Sequence, residues 1–199
     1  MGKERLTAFS DGVVAIIITI MVLELKVPHG VTLADLTPVL PTFLAYVLSF
    51  IYVGIYWNNH HHLLSLASSV TGPILWANMH LLFWLSVVPF ATSWMGETQL
   101  ATVPVALYGG VLIMSGIAYT ILMILLIGNE GPDSDLARAM GRDVKGKVSL
   151  AIYATALGLA FVRPLISVAL YVLVAAIWFI PDPRVERVLL ASEGVEPPG

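Results

Sequence analysis

The stretch Arg5-Leu6-Thr7-Ala8-Phe9-Ser10-Asp11-Gly12-Val13-Val14-Ala15-Ile16-Ile17-Ile18-Thr19-Ile20-Met21-Val22-Leu23-Glu24 decides how the rest of the chain is read. It is apolar enough to enter a bilayer, and from Val13 to Leu23 its only polar side chain is Thr19. Ser10 and Asp11 nevertheless stand near its start. An ionisable group inside a spanning helix costs roughly 2.5–3.5 kcal/mol on insertion scales, so Asp11 requires a partner and is a functional candidate. The helix is either an anchor facing lipid or the wall of a path through the membrane.

Working outward, the 199 residues are 58% hydrophobic and 12% charged. A soluble domain carries about 25% charged residues, so the class is an all-α polytopic membrane protein. The net charge of −3 comes without a basic run and gives no footprint for nucleic acid. Cys is absent, which removes disulfides, thiolate chemistry and Cys-based metal sites. The first hydrophobic segment is too long for a signal-peptide core, and no small-residue cleavage site follows it, so it is expected to stay in the mature protein.

Six hydrophobic spans are expected, at about 7–26, 38–60, 73–95, 103–127, 147–162 and 164–180, forming one transmembrane domain over 1–199. Val27-Pro28-His29-Gly30 ends the first. Pro38 and Pro41 suit the opening turn of the second, whose far end carries His60-His61-His62. Gly72-Pro73 opens the third, which contains an internal Pro89. Gly109, Gly110, Ser115 and Gly116 in the fourth permit close helix approach. The longest polar stretch, 128–147, mixes both charge signs and reads equally well as a cytoplasmic sensor or a solvated connector. The last two spans are short and turn over at Arg163-Pro164; Pro181-Asp182-Pro183 ends the second of them, with a disordered tail beyond.

With the N-terminus inside, the cytoplasmic side holds Lys3, Arg5, Arg138, Arg142, Lys145, Lys147, Arg184 and Arg187, and the outer side only Lys26 and Arg163. That distribution obeys the positive-inside rule, and a five- or seven-span arrangement spoils it. Both termini are expected in the cytoplasm.

At 100° per residue, Ile16, Thr19, Ile20 and Leu23 form one stripe on the first helix, and Asp11 points about 130° away from its middle. Periodicity alone leaves the stripe open to lipid contact, core packing or a pore. Asp11 lies at the same membrane level as His60, Asn78 and His80, so a buried network of carboxylate, imidazole and amide is expected there. Such a network is a structural clamp or a proton relay. The three adjacent His do not face one another and no carboxylate completes a metal site. No nucleophile motif, phosphate loop or paired intramembrane carboxylate points to an enzyme.

Arg5-x-x-x-Phe9-Ser10-Asp11-Gly12 at the start of the first span resembles the signature of the transmembrane protein 175 family, which comprises lysosomal potassium channels of animals and prokaryotic relatives. Trp57-x-x-His60 and Asn78 followed by Pro89-Phe90 extend the likeness over the first three spans; the last three match in topology only. The resemblance implies an unconventional tetrameric cation channel, a homotetramer in the lipid bilayer of a prokaryotic inner membrane, with the first helix lining the pore. It lacks the carbonyl filter of ordinary potassium channels, and no Thr-Val-Gly-Tyr-Gly stretch exists here. Carried over, Ile16 is the narrowest ring of a hydrophobic gate, Ile20 and Leu23 are further rings, and Thr19 sets a weak-to-moderate preference for potassium over sodium. The resemblance also makes Arg5, Phe9, Ser10, Asp11, Gly12, His60 and Asn78 a clamp behind the pore helix, with no cofactor beyond the permeant potassium ions. A proton- or cation-coupled transporter using Asp11 and His60 is the rival reading, with inverted repeats and broken helices as its signature; an assembly factor without transport is another.

Overall fold

The computed structural model describes residues 2–141 and 143–179. Every regular element among them is helical. Helix α1 is Lys3–Leu23; a 3₁₀ turn, Leu33–Val39, leads into α2, Leu40–Ser65. Then come α3, Gly72–Glu97, α4, Thr102–Glu130, a short α5, Asp135–Met140, and the pair α6, Val144–Ala160, and α7, Pro164–Phe179. Four segments, Lys3–Leu23, Leu33–Ser65, Gly72–Glu97 and Thr102–Glu130, are long and apolar enough to cross a membrane; α7 is a shorter apolar helix.

Local chemistry sets most of the boundaries. Pro41 and Pro73 occupy the first turns of α2 and α3, where the missing N–H has no helical partner to lose. Pro38 belongs to the 3₁₀ turn instead. That turn is closed by Asp35, whose Oδ2 accepts from the Thr32 backbone N–H at 2.9 Å and hydroxyl at 2.6 Å. Those two bonds hold the Asp35 carboxyl below the usual carboxylate range. Pro89 does not interrupt α3, which runs on to Glu97; within a bundle of helices, neighbouring groups absorb the lost hydrogen bond.

Two expectations change. α2 continues past residue 60 to Ser65, so His60, His61 and His62 all lie within it, His62 in its last turn. The stretch 128–147 is not a plain connector. α4 reaches Glu130; Ser134 Oγ then accepts from Ala137 N–H at 3.1 Å to start α5, and Asp143 Oδ1 accepts from Gly146 N–H at 3.0 Å to start α6. Ser and Asp caps stabilise helix starts by satisfying orphan amides, and Leu136 and Ala139 bury the inner face of α5. The expected end of the sixth span at 180, its Pro181-Asp182-Pro183 terminator and the tail lie outside the described residues.

Packing places α3 at the centre, against α1, α2 and α4, while α6 and α7 dock on α4. A Cβ at Gly96 would meet Thr42 Cα at 2.5 Å, so the α2 and α3 backbones touch there. On α4, Gly109 lies under the Tyr171 hydroxyl and Gly116 against Leu150, whereas Gly110 faces open space. Tyr52 donates its hydroxyl proton to the Tyr171 carbonyl at 2.5 Å, joining α2 to α7. α1 rests on α2 and α3. One of its faces is left uncovered, and that face carries the stripe.

Candidate functional site on the first helix

The buried face of α1 is Leu6, Ser10, Val14, Ile17 and Met21, a helical stripe that seats the helix on α2 and α3. Its single polar member is Ser10. Ser10 Oγ donates to the Leu6 carbonyl at 2.9 Å and accepts from Asn78 Nδ2 at 3.0 Å. Asn78 Oδ1 in turn lies 2.7 Å from His60 Nε2. Because the Asn78 amide nitrogen is spent on Ser10, its carbonyl accepts, and His60 Nε2 carries the donated proton. Donation therefore runs one way across three helices and ends on a backbone carbonyl. Ser10, Asn78 and His60 are all buried, and each bond is one that water cannot replace.

Asp11 is not in this chain of bonds. The expected network placed it with His60 and Asn78; instead its Oδ1 accepts from Trp57 Nε1 at 2.9 Å. The reason is angular. Consecutive helical residues point about 100° apart, so only one of Ser10 and Asp11 can face α3. The neutral hydroxyl takes the dry position, and the carboxylate stays half-buried beside an indole N–H, which limits its desolvation. His61 stacks on the other side of this contact, its ring 6.1 Å from that of Trp57. His80 also falls outside the network: it accepts from Trp84 Nε1 at 3.0 Å.

Arg5, Phe9 and Gly12 are exposed, so the structure does not bring them into the hydrogen-bonded set. α1 passes through Gly12 without a break. Lys3 makes an unforeseen contact: its ammonium donates to the carbonyls of Ser65 at 3.1 Å and Ala67 at 2.8 Å. These lie at the C-terminal end of α2, where a cation offsets the helix dipole. Trp57 was visible in the sequence only as part of a motif; the usable signal was its indole donor one helical turn before His60.

Ile16, Thr19, Ile20 and Leu23 all lie on the uncovered side of α1; Ile16 is 58% and Leu23 80% exposed. The Thr19 hydroxyl donates back to the Ile16 carbonyl at 2.9 Å, leaving its oxygen lone pairs outward as acceptors. Beside the stripe, a groove of about 630 Å³ runs between α1 and α3, with Ile16 and Ile20 on one wall and Phe90 and Trp94 on the other. Its far end is charged. Glu24 accepts from Ser93 Oγ at 3.3 Å, and Glu97 pairs with Lys26 at 2.6 Å, which holds the Lys26 amine above its ordinary range. Among the described residues, no group of three His, Asp or Glu is placed to hold a metal ion.

Comparison with known proteins places this geometry. The family described as endosomal/lysosomal potassium channel TMEM175 matches residues 5–89, the segment that supplies α1, α2 and most of α3. A potassium channel of Chryseobacterium sp. (strain P1-3) is 57% identical over 189 residues, covering 95% of this chain and 98% of that protein. A potassium channel of Streptomyces collinus is 31% identical over 182 residues, covering 86% and 88%. The crystal structure of a lysosomal potassium-selective channel TMEM175 homologue from Chamaesiphon minutus superposes with a TM-score of 0.76 at 29% identity, over 88% of this chain and 95% of that one. The chain is therefore a multi-pass membrane protein that belongs to the TMEM175 family.

Proposed function

We propose that the protein is a potassium-permeable cation channel, a homotetramer in which α1 of each subunit lines the pore. The observation that carries this reading is the division of α1: one face is locked to α2 and α3, while Ile16, Thr19, Ile20 and Leu23 point away from the subunit. An apolar stripe with a single hydroxyl suits a hydrophobic constriction. A narrow Ile16 ring, backed by Ile20 and Leu23, resists wetting, and ions pass when the helices rotate or splay. Thr19 is the only member of the stripe that offers oxygen, so it sets the weak-to-moderate preference for potassium over sodium. The relatives named as potassium channels support the ion; no cofactor is called for.

The same reading gives six spans, with both termini in the cytoplasm of a prokaryotic cell. α6, with 17 residues, and α7, with 16, rise about 24–26 Å, slightly less than a hydrocarbon core of roughly 30 Å, so this hairpin spans by thinning the bilayer around it. The basic residues favour that orientation. A coupled transporter working through Asp11 and His60 fits less well: the two side chains bond to different partners, and α3 is unbroken at Pro89.

The test is ion flux by purified protein in liposomes under potassium, sodium and N-methylglucamine gradients. Potassium flux exceeding sodium flux, with the large cation excluded, is the expected result. Silence in every gradient from folded protein removes the channel reading.

A further inference from the structure

Away from α1, a second cavity of about 50 Å³ lies among α2, α4, α6 and α7. By the measure in which one water needs about 10–15 Å³, it has room for a few heavy atoms. Its walls are aromatic: Tyr56, Tyr119, Tyr153 and Trp178, with Tyr56 and Tyr119 edge-on at 6.3 Å. Asp143 contributes the carboxylate to the lining. The indole of Trp178 is fixed by its N–H donating to Ser149 Oγ at 2.8 Å. Two observations bear on what enters. Tyr56 lines the cavity, and its hydroxyl lies beside Gly116, another lining residue. The Trp178 ring already attracts one ammonium, Lys145 Nζ lying 5.4 Å from its centre.

We infer that this cavity is a binding site for a small alkylammonium cation, held by the Asp143 carboxylate and the rings of Tyr56, Tyr119 and Trp178. Aromatic faces attract ammonium groups through their ring quadrupoles, and the attraction grows as water is excluded. A neutral guest of the same size lacks both that attraction and the ion pair. A bare inorganic cation would need a shell of oxygens, and these walls are mostly carbon. Burial raises the Asp143 carboxyl above its usual range, which an arriving cation would reverse. The inference stands apart from ion conduction, because no residue of the stripe lines this cavity.

Isothermal titration of ethylammonium chloride into the purified full-length protein, in potassium buffer at constant ionic strength, tests it. The expected result is saturable binding of one cation per chain, no binding of ethanol, and at least tenfold weaker binding in Asp143→Asn, which retains a helix-capping side chain. Trp178→Leu, which leaves the Asp143 cap to Gly146 unchanged, should weaken binding several-fold and serves if Asp143→Asn does not fold. Equal binding of ethanol, indifference to both substitutions, displacement by potassium at equal concentration, or no binding at all overturns the inference.

Discussion

The two halves of α1 are seated in different ways. From Lys3 to Asp11 the helix is held by directional polar contacts: Lys3 on the end of α2, Ser10 on Asn78, Asp11 on Trp57. From Val14 to Met21 it rests on α2 and α3 through Val14, Ile17 and Met21, with carbon alone. Hydrogen bonds in a dry setting define distance and angle. Apolar contact between helices in a bilayer defines neither sharply, because lipid tails replace protein carbon at little cost. The comparison teaches that the start of the helix is registered by buried polar bonds, whereas past Asp11 it is seated by carbon until the exposed bond from Ser93 to Glu24 at its end. The residues of the proposed gate, Ile16, Ile20 and Leu23, lie on the half seated by carbon.

The sharpest way to break this contrast is at the apolar end. Ile16→Asn is expected to raise liposome potassium flux several-fold over wild type while leaving the fold intact, since the side chain is exposed in the subunit. Unchanged flux would remove the hydrophobic gate. At the registered end, Asn78→Leu leaves Ser10 and His60 without their shared partner. Ser10 keeps its bond to the Leu6 carbonyl, so one buried group stranded at roughly 1–3 kcal/mol predicts a loss of about 2 kcal/mol in stability, read by thermal unfolding in detergent. A stable Asn78→Leu protein would show that packing, not hydrogen bonding, sets the register.

Trp57→Phe keeps the ring against His61 and removes only the donor to Asp11. A hydrogen bond to a charged, half-buried carboxylate predicts a smaller loss, about 1.5 kcal/mol. A loss matching that of Asn78→Leu would merge the two contacts into one network. The smallest effect is expected at the outer rim. Lys26 and Glu97 both lie at the surface, 77% and 42% exposed, and such pairs contribute little, so Glu97→Gln should leave the melting temperature unchanged. Because the pair raises the Lys26 amine, whatever stability it does give is present below the ordinary lysine range and is lost as pH rises through the shifted value.

Much of this was legible in the chain. Apolar runs bounded by Pro and Gly gave α3 and α4 to within a few residues, and 3.6-residue spacing put Ile16, Thr19, Ile20 and Leu23 on one side of α1. The Arg5-x-x-x-Phe9-Ser10-Asp11 motif led to the family. Where charges crowd, as in 128–147, the caps at Ser134 and Asp143 were hidden by the polarity of their neighbours. Partner choice was the other gap. Depth along the membrane put His60 and Asn78 level with α1, but depth does not say which side chain of α1 meets them.

Composition and periodicity are properties of neighbours in sequence, so the chain by itself determined a membrane protein built of helices, and the face on which each apolar residue falls. The Ser10–Asn78 bond joins residues 68 apart, and it depends on how α1 and α3 are rotated against each other. Only the tertiary structure decided that rotation. It turned the hydroxyl of Ser10 inward, left the carboxylate of Asp11 to Trp57, and set the stripe facing out of the subunit, because burying a neutral, fully bonded group costs less than burying a charge.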